Sequence, residues 1–137
     1  MNKFVDKMIP NSCIPREVEN VELNPAYRAT KSLNELGVQD FLPTYIEIPS
    51  RAKKWKRLGR GVFGVSLFDN LEDLKEKINY YPELKKKIKS YSKGFCTKSK
   101  GICTQQSGKS HACYFLYDYL RNNPYVDFNI IQEEKIK

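Results

Sequence analysis

RAKKWKRLGR, residues 51–60, decides how the rest of the chain is read. It holds six cations in ten positions and lies between TYIEI (44–48) and VFGVSLF (62–68), two short runs with the alternation of strands. In the first, Ile46 and Ile48 share one face and Tyr45 and Glu47 the other, and Pro49 closes it. In the second, Gly64 marks a bulge or a close approach. The simplest arrangement is an antiparallel pair joined by a basic connection. Held at both ends, that connection projects Arg51, Lys53, Lys54, Lys56, Arg57 and Arg60 outward.

Upstream, residues 1–23 are polar, broken by Pro10 and Pro15, and read as an extended arm. The first helix is expected over 25–36: Asn24 suits the N-cap, Pro25 the first helical position and Gly37 the left-handed terminus. Ala26, Ala29, Leu33 and Leu36 fall on its one apolar face. Downstream, Asp69 and Asn70 cap a second helix over 71–78, with Leu71, Leu74 and Ile78 on one side. Glu72 and Asp73 sit in its first turn, where the helix dipole favours anions.

Tyr80, Tyr81 and Pro82 then interrupt, and 82–93 reads as a third helix with Leu84, Ile88 and Tyr91 inward. Lys85, Lys86, Lys87 and Lys89 on its other face would double the basic surface. A fourth helix is expected over 111–123, burying Cys113, Leu116, Tyr117 and Leu120, followed by a half-buried strand over 125–131. The expected fold is therefore α+β: a small antiparallel sheet, about four short helices and extended termini. The arm (1–23), a single domain (24–131) and a charged tail (132–137) make up the chain.

Length and composition bound what such a protein does. A chain of 137 residues forms one domain and buries roughly two-thirds of the surface its unfolded form exposes. With 40% apolar residues and a mean hydropathy of −0.62, part of it is expected to gain order from a partner. The net charge is +8, and six of the 24 Lys and Arg fall within 51–60. Concentrated positive charge favours nucleic acid or an anionic surface. No apolar run reaches 18 residues, and the first residues, which include Asp6, lack the apolar core of a secretory signal.

Cys96, Cys103, His111 and Cys113 are the one cluster with metal-ligand character, spaced C-x6-C-x7-H-x-C. Neither pair has the tight spacing usual for structural zinc, so zinc, a disulfide and buried reduced thiols all stay open. His111 and Cys113 would stand about 200° apart on a helix, too far round for a nucleophile and its base. The glycines of RLGRGVFG and QQSGKSH form no phosphate-cradling loop. No catalytic constellation and no cofactor site emerges, and the expectation is a protein that is not an enzyme. Trp55, interleaved with cations, could stack on a base while its neighbours neutralise phosphates.

Some stretches resemble known families. The C-x9-C step from Cys103 to Cys113 is similar to half of the twin motif of small disulfide proteins of the mitochondrial intermembrane space, and implies a Cys103–Cys113 bridge. Residues 101–131, with Ser107, Gly108, Asn123, Pro124 and Val126, resemble the opening of the thioredoxin-like family shared by two mitochondrial ribosomal proteins and a small accessory subunit of respiratory complex I. That likeness implies strand, turn, helix, then a second strand after the Asn-Pro step.

Residues 60–83, with Phe63, Gly64, Tyr80, Tyr81 and Pro82, are similar to a small-subunit mitochondrial ribosomal protein family. Residues 24–45 resemble the first helix and following strand of the bacterial NusG N-terminal domain. The leading expectation is a structural subunit of a mitochondrial ribosome, with neighbouring proteins and rRNA as partners. Arg51, Lys53, Lys54, Lys56, Arg57, Arg60, Lys85, Lys86 and Lys89 would lie on rRNA phosphates and Trp55 would stack. The alternatives are an accessory subunit of a respiratory complex, meeting acidic protein or lipid headgroups at a membrane surface, and a zinc-dependent binding module.

Overall fold

Six strands hydrogen-bond into one antiparallel sheet: β1 (Ala26–Thr30), β2 (Val65–Phe68), β3 (Ser90–Gly94), β4 (Gly101–Gln105), β5 (His111–Leu116) and β6 (Phe128–Ile130), in the order β4-β5-β2-β1-β3-β6. The computed structural model describes residues 3–136; residues 1, 2 and 137, the tips of the expected arm and tail, lie outside it. Five α-helical segments are described, α1 (Thr44–Glu47), α2 (Pro49–Ala52), α3 (Trp55–Leu58), α4 (Leu71–Asn79) and α5 (Pro82–Lys85). The α+β class is as expected, with a larger sheet and shorter helices.

Three expected helices are wholly or partly strands. Residues 26–30 form β1 because five consecutive pairings with β3, Ala26↔Gly94 through Thr30↔Ser90, outweigh the local helix signals of Asn24, Pro25 and Gly37. Thr30, fully buried, places its hydroxyl 2.6 Å from that of Ser90 and 2.9 Å from that of Ser92, so the polar residues of β3 are hidden inside. In the expected third helix only α5 is helical. In the fourth, 111–116 is β5, whose Ala112, Tyr114 and Leu116 pack on one face and Phe115 on the other. A strand buried on both faces is a continuous apolar run, and periodicity alone does not separate it from a helix.

The reverse error occurs at 44–48, where the expected strand is α1. Prolines at 43 and 49 bracket one helical turn; Tyr45 is buried against Phe63, and the Thr44 amide donates to the Gly64 carbonyl at 3.1 Å. Four residues are too few for period 2 and period 3.6 to be told apart. Other expectations hold. Strand β2 occupies Val65–Phe68; a Cβ on Gly64 would lie 3.3 Å from the Tyr114 carbonyl oxygen, the close approach its position suggests. Helix α4 starts where expected, with the Asn70 side chain accepting from the Asp73 amide at 3.0 Å and Leu74 and Ile78 buried. Strand β6 covers only the end of the expected 125–131 run, after a 3-10 turn at Pro124–Asp127.

The stretch read as an arm lies along the sheet. The Val21 amide donates to the Cys103 carbonyl at 2.8 Å and the Asn20 side chain accepts from the Cys103 amide, while Ile9 and Cys13 are buried beside Tyr45, Phe63 and Phe115. At the other end, Glu134 reaches Lys75 of α4 at 2.6 Å.

The sheet has a seam near its centre. Strands β1 and β2 pair only at Tyr27↔Phe68, whereas β1 and β3 share five pairs and β2 and β5 four. Arg28 closes the seam: its Nη1 donates to the Ser66 carbonyl and its Nε to the Asp40 carbonyl, each at 3.0 Å. Asp40, 1% exposed, in turn holds the 31–40 loop by accepting from the amides of Lys31, Ser32 and Gly37 and from the Ser32 hydroxyl.

Candidate nucleic-acid interface and the cleft beside it

The basic connection is two single helical turns rather than a loop. Pro49 starts α2; Gly59, in the left-handed region at φ 94°, ends α3 and donates its amide to the Trp55 carbonyl at 2.7 Å. Arg51, Lys53, Lys54, Lys56 and Arg57 are all exposed, and among the described residues none of them has a carboxylate within ion-pair distance. Five uncompensated cations on one short, anchored segment make a strong local positive potential.

Two members of the expected set are otherwise engaged. Trp55 turns inward and packs beside Phe63, ring centroids 6.3 Å apart, so it anchors the connection rather than standing free to stack on a base. Lys56 lies over its ring at 5.9 Å. Arg60 is committed to Glu19, with two hydrogen bonds at 2.6 and 3.2 Å, and leaves the interface. Those bonds, with a further one from the Arg16 amide at 2.7 Å, hold the Glu19 carboxyl down at about 2. A carboxyl with a depressed folded-state pKa contributes its stability above the unfolded value and loses it as pH falls from about 4.5 towards 2. The pair opens to solvent on its Arg60 side and is worth about 0.5–1 kcal/mol. Melting of Glu19→Gln between pH 2 and 5 is expected to show a correspondingly shallower acid limb, and an unchanged limb would remove the pair from the stability account.

Lys85 stands exposed on α5 and Lys86 and Lys89 after it, Lys86 with Glu83 at 3.4 Å and Lys85 donating to the Asn79 side chain. Leu84 and Ile88 from this segment line the same cleft as Arg51 and Leu58 of the basic connection, so the two basic stretches border one depression.

That cleft, about 460 Å³, opens over the seam between β1 and β2. At its base Arg28 and Lys31 meet Glu47 at 3.8 and 2.6 Å. Burial lowers the Arg28 pKa, while Glu47 and Asp40 oppose the shift and help keep the guanidinium charged. On β2 and β5, Ser66 Oγ and His111 Nε2 are 2.7 Å apart. Loss of hydration on the inner side of the ring, and then the positive charge of Lys77, lower the His111 pKa and favour neutral imidazole. The strand register puts His111 and Cys113 on the same face, unlike the helix expected there, but it is Ser66 that His111 meets.

The sheet also decides the cysteine alternatives. Cys103 pairs with Tyr114 and Cys113 with Thr104, so adjacent register positions send the two thiols to opposite faces. A Cys103–Cys113 disulfide is excluded by that geometry, and all four cysteines are free. Cys96 lies with Cys103 in the core on one face, Cys113 with the cluster on the other, and His111 stands on the Cys113 side, so these four do not converge on one metal ion. No group of three metal-ligating side chains occurs among the described residues. The neighbouring Cys103 thiol, then burial, push the Cys96 pKa up; burial pushes Cys113 to about 11. Both stay protonated and unreactive near neutral pH.

Arg28, Asp40 and Ser66 were missed by sequence reasoning. Each owes its place to strand pairing or to a loop closed over long separations, and no local motif marks it. No known family, no curated protein and no solved structure matches the chain. Among the described residues no helix is long and apolar enough to cross a membrane.

Proposed function

We propose that the protein is a non-enzymatic structural subunit of a large assembly that contacts RNA phosphates through Arg51, Lys53, Lys54, Lys56 and Arg57. The observation that carries this reading is the group of five exposed cations without carboxylate partners among the described residues, on a connection pinned to the core by Trp55. A rigid positive platform with its counter-charges left open suits a polyanion, and RNA phosphates are spaced to meet several such cations at once. Lys85 and Lys89, exposed beside the Leu84 and Ile88 that line the shared cleft, would extend the platform. The host assembly we propose is a mitochondrial ribosome, on the resemblance of residues 60–83; neighbouring ribosomal proteins would then be further partners. The likeness of 101–131 lends less, since a strand stands where that family has its helix. The respiratory-subunit alternative, in which the same cations meet acidic protein or lipid headgroups, loses the support that a Cys103–Cys113 bridge would have lent it, since the sheet keeps these thiols apart.

Affinity for a structured RNA across a salt series tests the reading. Each phosphate neutralised contributes about 0.7–0.9 to the slope of log affinity against log salt. Changing Lys53, Lys54, Lys56 and Arg57 together to Ala is expected to flatten the slope by about 3 and to weaken binding at least a hundredfold at low salt. Binding that ignores the four substitutions would overturn the proposal.

A further inference from the structure

The cleft has two unlike halves, and together they describe a ligand. One half is apolar: Phe68, Leu74, Ile78, Leu84 and Ile88, with Tyr81 at the rim. The other half is positive. Its carboxylates are already engaged, Asp40 by three amides and a hydroxyl, and Glu47 by Lys31 with Arg28 close by. The remaining charged side chains on the lining are Arg51 of α2 and Lys77 of α4, and among the described residues neither has an acidic partner. Lys77 instead lies 5.4 Å from the centre of the Tyr81 ring. His111 and Ser66 add polar atoms from the sheet to the same lining.

Two cations and a polar pair lining one cleft attract a compact anion; an adjoining apolar wall with an aromatic rim accepts a flat, weakly polar group. Phosphate joined to a planar base satisfies both halves, and neither inorganic phosphate nor an apolar molecule does. We propose that this cleft binds a nucleotide, with its phosphate held by Arg51, Lys77 and the Ser66–His111 pair and its base against Leu74, Ile78 and Tyr81. The site is separate from the phosphate contacts of Lys53, Lys54, Lys56 and Arg57, although the two share a border at Arg51.

Calorimetric titration of the full chain with ADP, UDP, adenosine and inorganic phosphate tests this. At least one of the two nucleotides is expected to bind ten times more tightly than adenosine or phosphate alone. Lys77→Ala, an exposed helical position whose loss should leave the melting temperature nearly unchanged, is expected to weaken it tenfold or more. The variant with Lys53, Lys54, Lys56 and Arg57 changed to Ala should keep nucleotide affinity within about threefold while losing RNA. In the intact protein the ring resonances of His111, the one histidine, should move on nucleotide addition.

Nucleotides binding no better than phosphate, indifference to Lys77→Ala, unmoved His111 resonances, or loss of nucleotide binding in the fourfold variant would each overturn the cleft assignment. RNA binding lost with nucleotide binding kept is expected of the fourfold variant alone. A native chain that binds nucleotide and not RNA would overturn the function proposed above and leave the cleft standing.

Discussion

Asp40→Ala is expected to destabilise the protein by about 3–4 kcal/mol, the combined cost of leaving three part-buried backbone donors and a hydroxyl without their acceptor. The carboxylate is 1% exposed and gathers the amides of Lys31, Ser32 and Gly37 with the Ser32 hydroxyl, so its removal strips the 31–40 loop of what closes it. In a chain of this size that is a fall in melting temperature of about 10–15 °C. Asp40→Asn preserves the volume and one oxygen and should lose about half as much. The loop also positions Lys31 beside Glu47 and supports Arg28, so the alanine variant should bind nucleotide poorly even where it remains folded. A shift of less than about 3 °C would mean that the loop is closed by something other than this carboxylate.

Tyr114→Ala is the second large effect, expected at about 3–5 kcal/mol. Tyr114 is wholly buried in the middle of β5, opposite Val65 of β2 and Cys103 of β4, and its hydroxyl donates to the Thr97 carbonyl at 2.8 Å and accepts from the Thr97 amide at 3.0 Å. Tyr114→Phe removes the hydroxyl alone and should cost about 1–2 kcal/mol, leaving the Thr97 groups to find water. Denaturant titrations of the two variants separate packing from hydrogen bonding. Equal losses for both would assign the whole effect to the Thr97 contacts and contradict the packing account.

What could be read from the sequence was what is encoded locally. Helix α4 has its cap, its charged first turn and its apolar stripe within ten residues, and it lies where expected. The cations of 51–57 are exposed, as their density requires. The errors share a cause. Strand β3 hides Ser90 and Ser92 in the core, where their hydroxyls meet Thr30, a residue some 60 positions earlier in the chain. Strand β5 is apolar on both faces, and β1 begins with residues that suit a helix. In each, pairing with a distant strand overrides local preference, and one chain read alone carries no sign of the partner. The cleft was invisible for the same reason: Arg28, Ser66 and His111 meet only once β1, β2 and β5 lie side by side.

The order of strands also bears on how the protein is made. A ribosome releases β1 before either of its neighbours, β2 and β3, and the outermost strand beside β3, which begins at Phe128, comes last of the six. Until β3 emerges, the future centre of the sheet lacks the partner with which β1 makes five of its pairs. The nascent chain therefore cannot settle piece by piece as it appears. It completes its sheet only after β6 has emerged, in a step dominated by distant pairings.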